Sequence, residues 1–202
     1  MNYKKLFSMT LLCCSLWTLC SGCAHMVPIS VQPTALAAGD KLPLTAALVM
    51  NKDLLDYKYE FHMMGDTWVY RFGEPLQDYA RRLAGASFQR VEETSSTESA
   101  FAIPSADIVL VPRPVKADES TGLMAKSKVN LTLVIEWTAK DRATQNTVWL
   151  KTITANASEE QGNIFSGTKH QGILMQKLFD DLSAKTREAF QSASELRSPL
   201  HP

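Results

Sequence analysis

Apolar residues recur along this chain with two periods, every second position in some stretches and every third or fourth in others. Leu44-Thr45-Ala46-Ala47-Leu48-Val49-Met50 is a short apolar run between Pro43 and Asn51, and it predicts a buried strand. Tyr57, Tyr59 and Phe61 then alternate with Lys58 and Glu60, and Trp68, Tyr70 and Phe72 alternate with Val69 and Arg71. With Met64-Gly65-Asp66 as the turn, these two runs predict a hairpin that carries an aromatic face. Gly73-Glu74-Pro75 opens a helix, since proline in a first turn gives up no helical hydrogen bond. Leu76, Tyr79, Ala80, Leu83 and Ala84 line one side of it, and it stops near Phe88. A short strand over Phe88 to Glu92 and a polar loop over residues 92–100 follow.

The second half is patterned more strongly. Ala106 to Val111 reads as an interior strand, ended by Pro112 and Pro114, which cannot donate to a ladder. Lys128 to Thr138 places Val129, Leu131, Leu133, Ile135 and Trp137 on one face and Asn130, Thr132 and Glu136 on the other. A turn at Asp141 to Asn146 returns it as Thr147 to Ala155, a long antiparallel hairpin. From Lys169 to about Leu196, Met175, Leu178, Leu182, Thr186, Ala189 and Ala193 form a helical stripe widened by Phe179 and Phe190, before Ser198-Pro199 stops the helix. The order predicts an α+β fold, with a mostly antiparallel or mixed sheet and two main helices packed on one face.

The first 23 residues follow a different rule. Lys4 and Lys5 precede an apolar run from Leu6 to Leu19, about 14 residues, short of the roughly 20 that span a hydrocarbon core. It ends in Leu19-Cys20-Ser21-Gly22-Cys23, which resembles the lipobox of bacterial lipoproteins and departs from the commoner pattern only in having Cys20 where leucine is usual. The resemblance implies a signal peptide over 1–22, cleaved before Cys23, with a lipid on the Cys23 thiol. Alanine rather than aspartate at position 24 implies forwarding to the outer membrane, with the chain facing the periplasm. The stretch from Ala24 to Pro43, rich in Pro, Ala, Gly, Ser and Thr, reads as a flexible tether (23–43), followed by one periplasmic domain over 44–197 and a tail over 198–202.

Composition narrows the partners. All four cysteines, Cys13, Cys14, Cys20 and Cys23, lie within or at the end of the signal, so the domain has no internal disulfide. The 21 basic residues balance 21 acidic ones, and losing Lys4 and Lys5 with the signal leaves the mature chain slightly acidic. Nucleic acid is excluded as a partner on that balance, because phosphate neutralisation needs a basic face. A polybasic membrane patch is excluded likewise.

Candidate chemistry is sparse. Ser166-Gly167-Thr168-Lys169 matches the S-x-x-K of penicillin-binding enzymes, but without S-D-N or K-T-G companions it reads as a helix entrance capped by Ser166 or Thr168. His62 and Asp66 flank the hairpin turn, too few ligands for a metal centre, with His25, His170 and His201 far away in sequence. The doublets Glu92-Glu93, Glu159-Glu160 and Asp180-Asp181 diverge on any regular element, so they do not form a carboxylate pair about one bond. No cofactor, metal site or catalytic residue is expected. The aromatic hairpin is the candidate binding feature, with Tyr57, Tyr59, Trp68 and Tyr70 as its residues, since exposed Trp and Tyr serve as anchors for partners.

The layout over residues 44–196 together with the lipobox is similar to small accessory lipoproteins of the YajG-like kind and to lipoprotein activators of peptidoglycan synthases. That resemblance implies a non-enzymatic accessory or assembly factor that binds another envelope component. The alternatives are a binder of lipid, glycan or peptidoglycan fragments and, third, an envelope hydrolase.

Overall fold

A three-stranded and a five-stranded sheet share one apolar core in the computed structural model, which describes residues 24–27, 29–32, 40–63, 66–121, 128–160 and 167–197. The strands are β1 (Ala24–Val27), β2 (Leu42–Val49), β3 (Lys58–Met63), β4 (Asp66–Arg71), β5 (Phe88–Thr94), β6 (Ile108–Thr121), β7 (Lys128–Asp141) and β8 (Thr147–Glu160). The helices are α1 (Lys52–Leu55), α2 (Gly73–Ser87), α3 (Thr97–Phe101) and α4 (Gly167–Ser192), with a 3₁₀ turn at Ser194–Leu196. The small sheet has the order β1-β4-β3 and the large one β5-β2-β6-β7-β8. β1 runs parallel to β4, and β2 parallel to both β5 and β6, while the remaining pairs are antiparallel. The fold is therefore α+β with mixed sheets, as the sequence pattern predicts.

β7 shows why the large sheet holds. Leu131, Leu133, Ile135, Trp137 and Ala139 repeat every second residue on its inner face and are fully buried. Opposite them α4 presents Leu174, Met175, Leu178, Leu182, Thr186 and Phe190, all buried at helical spacing. α2 lies beside α4 on the same face, and the Tyr79 hydroxyl donates to the Thr186 hydroxyl at 2.6 Å, which satisfies the two polar groups that the helix contact buries. Short α3 covers part of the other face, where Ala47, Val49, Ala100, Ala106 and Val109 form a second small core.

Several segments differ from expectation, each for a local reason. Residues 24–43 are not wholly a tether: Ala24–Val27 is a strand and Ile29 and Val31 pack on the core. Gln32 N–H donates to Gln176 Oε1 at 2.8 Å, and Gln176 Nε2 donates back to the Gln32 carbonyl at 3.2 Å, which holds this strap on α4. Four residues are too few to show a period, but the free edge of β4 offers them a ladder. The polar segment 92–100 holds α3, started by Ser96, whose hydroxyl accepts from Ser99 N–H at 3.1 Å. Asn51 starts α1 in the same way, accepting from Leu54 N–H at 3.0 Å. The tail from Ser198 onward and the signal peptide lie outside the described residues.

β6 is the largest correction, since its ladder with β7 runs through both prolines to Thr121. Alternate residues of a strand turn their backbone polar groups to opposite edges. Pro112 and Pro114, two apart, thus lack an N–H on one and the same edge, the one that β2 has left after Leu110. Nothing is lost from the ladder with β7.

Candidate functional site

The small sheet is built from rings. In its register Tyr59 stands opposite Tyr70 and Phe61 opposite Trp68, and the parallel strand β1 sets His25 beside Trp68 and Val27 beside Tyr70. Period 2 then places His25, Val27, Tyr59, Phe61, Trp68 and Tyr70 on one face. Their rings are in contact across the sheet: His25 stacks on Trp68 at 4.7 Å, Phe61 lies 6.3 Å from Trp68 and 5.7 Å from Tyr70, and Tyr70 lies 6.0 Å from Phe72. Phe72 in turn meets Phe179 of α4 at 6.5 Å, so a continuous run of rings leads from the start of β1 into the main core.

The tyrosines among these residues have internal partners. A bulge between Pro114 and Lys116 shifts the phase of β6 by one residue, so the next N–H groups on its open edge belong to Ala117 and Glu119. The Glu119 N–H donates to the Tyr59 hydroxyl at 3.0 Å, and the Ala117 N–H to that of Tyr57. The edge that prolines blunt at 112 and 114 is thereby closed further on by two hydroxyls, which removes a template for strand addition. Tyr57 ionises above the usual phenol value because burial disfavours its anion, an effect opposed by the Ala117 bond. Tyr70 is only 1% exposed; burial first, and then the negative charge of the Glu119 carboxylate bonded to its hydroxyl, hold it far above that value.

Of the four candidate binding residues, Tyr70 is core and presents no surface. Tyr57 and Tyr59 are half-buried with their hydroxyls engaged on β6, and Trp68 is half-buried between His25 and Phe61. The sequence could not separate these roles, because all four alternate in the same way. His25 fell in the expected tether and was missed; its only signal is the alternation of His25 and Val27 with Met26. Cys23 and Ser166 lie outside the described residues.

The other candidates are dispersed. His62 Nδ1 pairs with the Thr67 hydroxyl at 3.0 Å, whereas Asp66 meets His25 Nε2 at 3.3 Å. Among the described residues no three of His, Cys, Asp and Glu come together as a metal site would need. The Glu92-Glu93 and Asp180-Asp181 doublets are each split between separate structural bonds. Glu92 takes the Ser105 hydroxyl and Arg90 while Glu93 takes Arg81, and Asp181 binds Lys185 and the Asn156 N–H while Asp180 takes the Gln176 amide. Glu159 pairs with Lys177. The described residues line shallow clefts between the strap and the helices at Val31, Arg82, Leu83 and Ser183, and at the helix ends near Asp40, Arg187 and Arg197.

No family model matches the chain, and no curated protein matches it. Among solved structures it is similar to protein XCC0632 from Xanthomonas campestris, at 13% identity and a TM-score of 0.47 over 86% of this chain and 99% of that one. A minor lipoprotein from Acinetobacter baumannii is similar at 14% identity and a TM-score of 0.39, over 76% of this chain and 92% of that one. Lipoprotein GNA1162 from Neisseria meningitidis is similar at 13% identity and a TM-score of 0.40, over 74% of this chain and all (100%) of that one. Likeness of this degree transfers no residue role.

Proposed function

We propose that this chain is a non-enzymatic lipoprotein of the bacterial outer membrane, held by acyl chains on Cys23 and facing the periplasm, which binds another envelope component as an accessory or assembly factor. The observation that carries the reading is the lipobox-like Leu19-Cys20-Ser21-Gly22-Cys23, which runs without a spacer into the domain at Ala24. The dispersal of His25, His62 and the doublets Glu92-Glu93 and Asp180-Asp181 into separate structural bonds supports a binding role over a hydrolytic one, since a reaction needs nucleophile, base and oxyanion donors around one point. Among the described residues, rings and aliphatic side chains fill the space between sheet and helices, which favours a surface contact over a groove for lipid or glycan.

Two experiments test the two halves of the reading. Labelled palmitate is incorporated into the wild type and Cys20→Ser but not into Cys23→Ser; label retained by Cys23→Ser overturns the anchor. A photoreactive residue at exposed Val115 or Leu150 crosslinks in living cells to one recurrent envelope protein that also binds the purified mature chain. No adduct from either position, in cells where the protein is correctly lipidated, overturns the partner role.

A further inference from the structure

Ala24, the residue after Cys23, already pairs with Thr67 in the small sheet. Two residues of chain reach at most about 7 Å, so His25, with the Trp68 and Phe61 that share its level, lies within that reach of Cys23 along the chain. At this end Trp68 and Phe61 are half-buried, and Met26, at 60%, is the most exposed large apolar side chain among the described residues. Met26 projects from the face opposite the rings, so apolar groups border both faces of the sheet next to the anchor. With no chain between lipid and sheet, whatever lies at the lipid's own depth covers this end.

We propose that the anchored end of the small sheet, with Met26 on one face and Trp68 and Phe61 on the other, rests in the headgroup layer of the membrane that holds the lipid, so that the domain is mounted on the bilayer. The occupant is a lipid surface because the chain leaves Cys23 no length to stand away from it, and Trp is a side chain favoured at that depth, where one part of the ring meets hydrocarbon and its N–H meets water. The inference rests on the proposed lipidation of Cys23.

The test uses the full mature lipoprotein in vesicles of phosphatidylethanolamine and phosphatidylglycerol whose acyl chains carry bromine near the headgroups. Trp68 fluorescence is quenched, and the quenching is lost in Trp68→Phe, which leaves only Trp137 and Trp149 in the mature chain. It is lost again when a Gly/Ser spacer of about 20 residues, beginning with Ala and reaching roughly 25 Å, is inserted between Cys23 and Ala24. A protein that is acylated and floats with the vesicles, yet shows no Trp68 quenching or quenching indifferent to the spacer, overturns the mounting and leaves the anchor standing. A protein that carries no acyl group overturns both.

Discussion

The five-stranded and the three-stranded sheet bury their inner faces by different means. In the large sheet the inner faces of β7 and β8 set Leu131 opposite Ala157, Leu133 opposite Ala155 and Ile135 opposite Ile153, and α4 packs over them to exclude water. In the small sheet each inward ring already touches rings on the neighbouring strand, so much of its apolar area is covered within the sheet itself. Three strands with this little backbone thus form a usable wall. The edges differ in the same sense: β8 is closed by helix side chains, with Lys185 donating to the Thr154 carbonyl and Asp181 accepting from Asn156 N–H, whereas β6 is closed by proline and tyrosine.

The strongest test of that contrast lies in the large sheet. Leu133→Ala and Leu182→Ala each leave a cavity where helix and sheet meet, with an expected loss of about 2–5 kcal/mol in denaturant unfolding of the mature chain. Thr132→Ala on the outer face, whose hydroxyl donates to the Asn156 amide oxygen, is expected to change little. Equal losses at Thr132 and Leu133 would show that the helices do not cover the face described.

The junction of the two regions should respond nearly as strongly. Gly73 follows the aromatic hairpin, and a Cβ there would stand 1.7 Å from the Leu55 carbonyl oxygen, a backbone atom with no rotamer by which to yield. Gly73→Ala is therefore expected to destabilise by about 1–3 kcal/mol or more, read as a lower thermal midpoint. A neutral result would mean that α1 and α2 move apart freely.

Smaller again is the hydroxyl that closes β6. Tyr59→Phe keeps the ring and removes the acceptor from the Glu119 N–H, with an expected loss of about 1–3 kcal/mol and faster hydrogen exchange at that amide. Unchanged exchange would show that the edge has another cover.

Alkaline titration separates the regions most gently. Tyr70 and Tyr79 both ionise far above the ordinary value of 10.0, chiefly because burial disfavours the anion. A group with a raised folded pKa gives its full stabilisation below its unfolded value and loses it as pH climbs toward the folded one. Stability should therefore hold up to about pH 10 and fall beyond it. Tyrosinate absorbance in which every tyrosine titrated with a midpoint near pH 10, with the fold intact, would contradict the burial of both.

These regions were also unequally legible. The alternation Leu131-Leu133-Ile135 and the spacing of Leu178 and Leu182 read directly as strand and helix, because one buried face repeats over many residues. α1, α3 and β1, at four or five residues, span only one or two periods, too few repeats to stand out along the chain. Asn51 and Ser96 were the available signals, each a cap just before its helix. Pro112 and Pro114 misled because their effect depends on which edge of β6 has a neighbour, a property of the assembled sheet. The aromatic hairpin was legible as a hairpin, but the division of its rings into core, edge cover and surface was not, since that depends on β1 and on the far half of β6.

The direction of β1 has a mechanical consequence. A pull on the amino end, directed along the strand, acts lengthwise on the whole Ala24–Val27 ladder with β4. Its hydrogen bonds then resist in shear and share the force, whereas a pull across the ladder would open them one by one. A tug of the first kind is passed through the rings of the small sheet to Phe179 in α4, so tension at the amino end is borne by the domain as a whole.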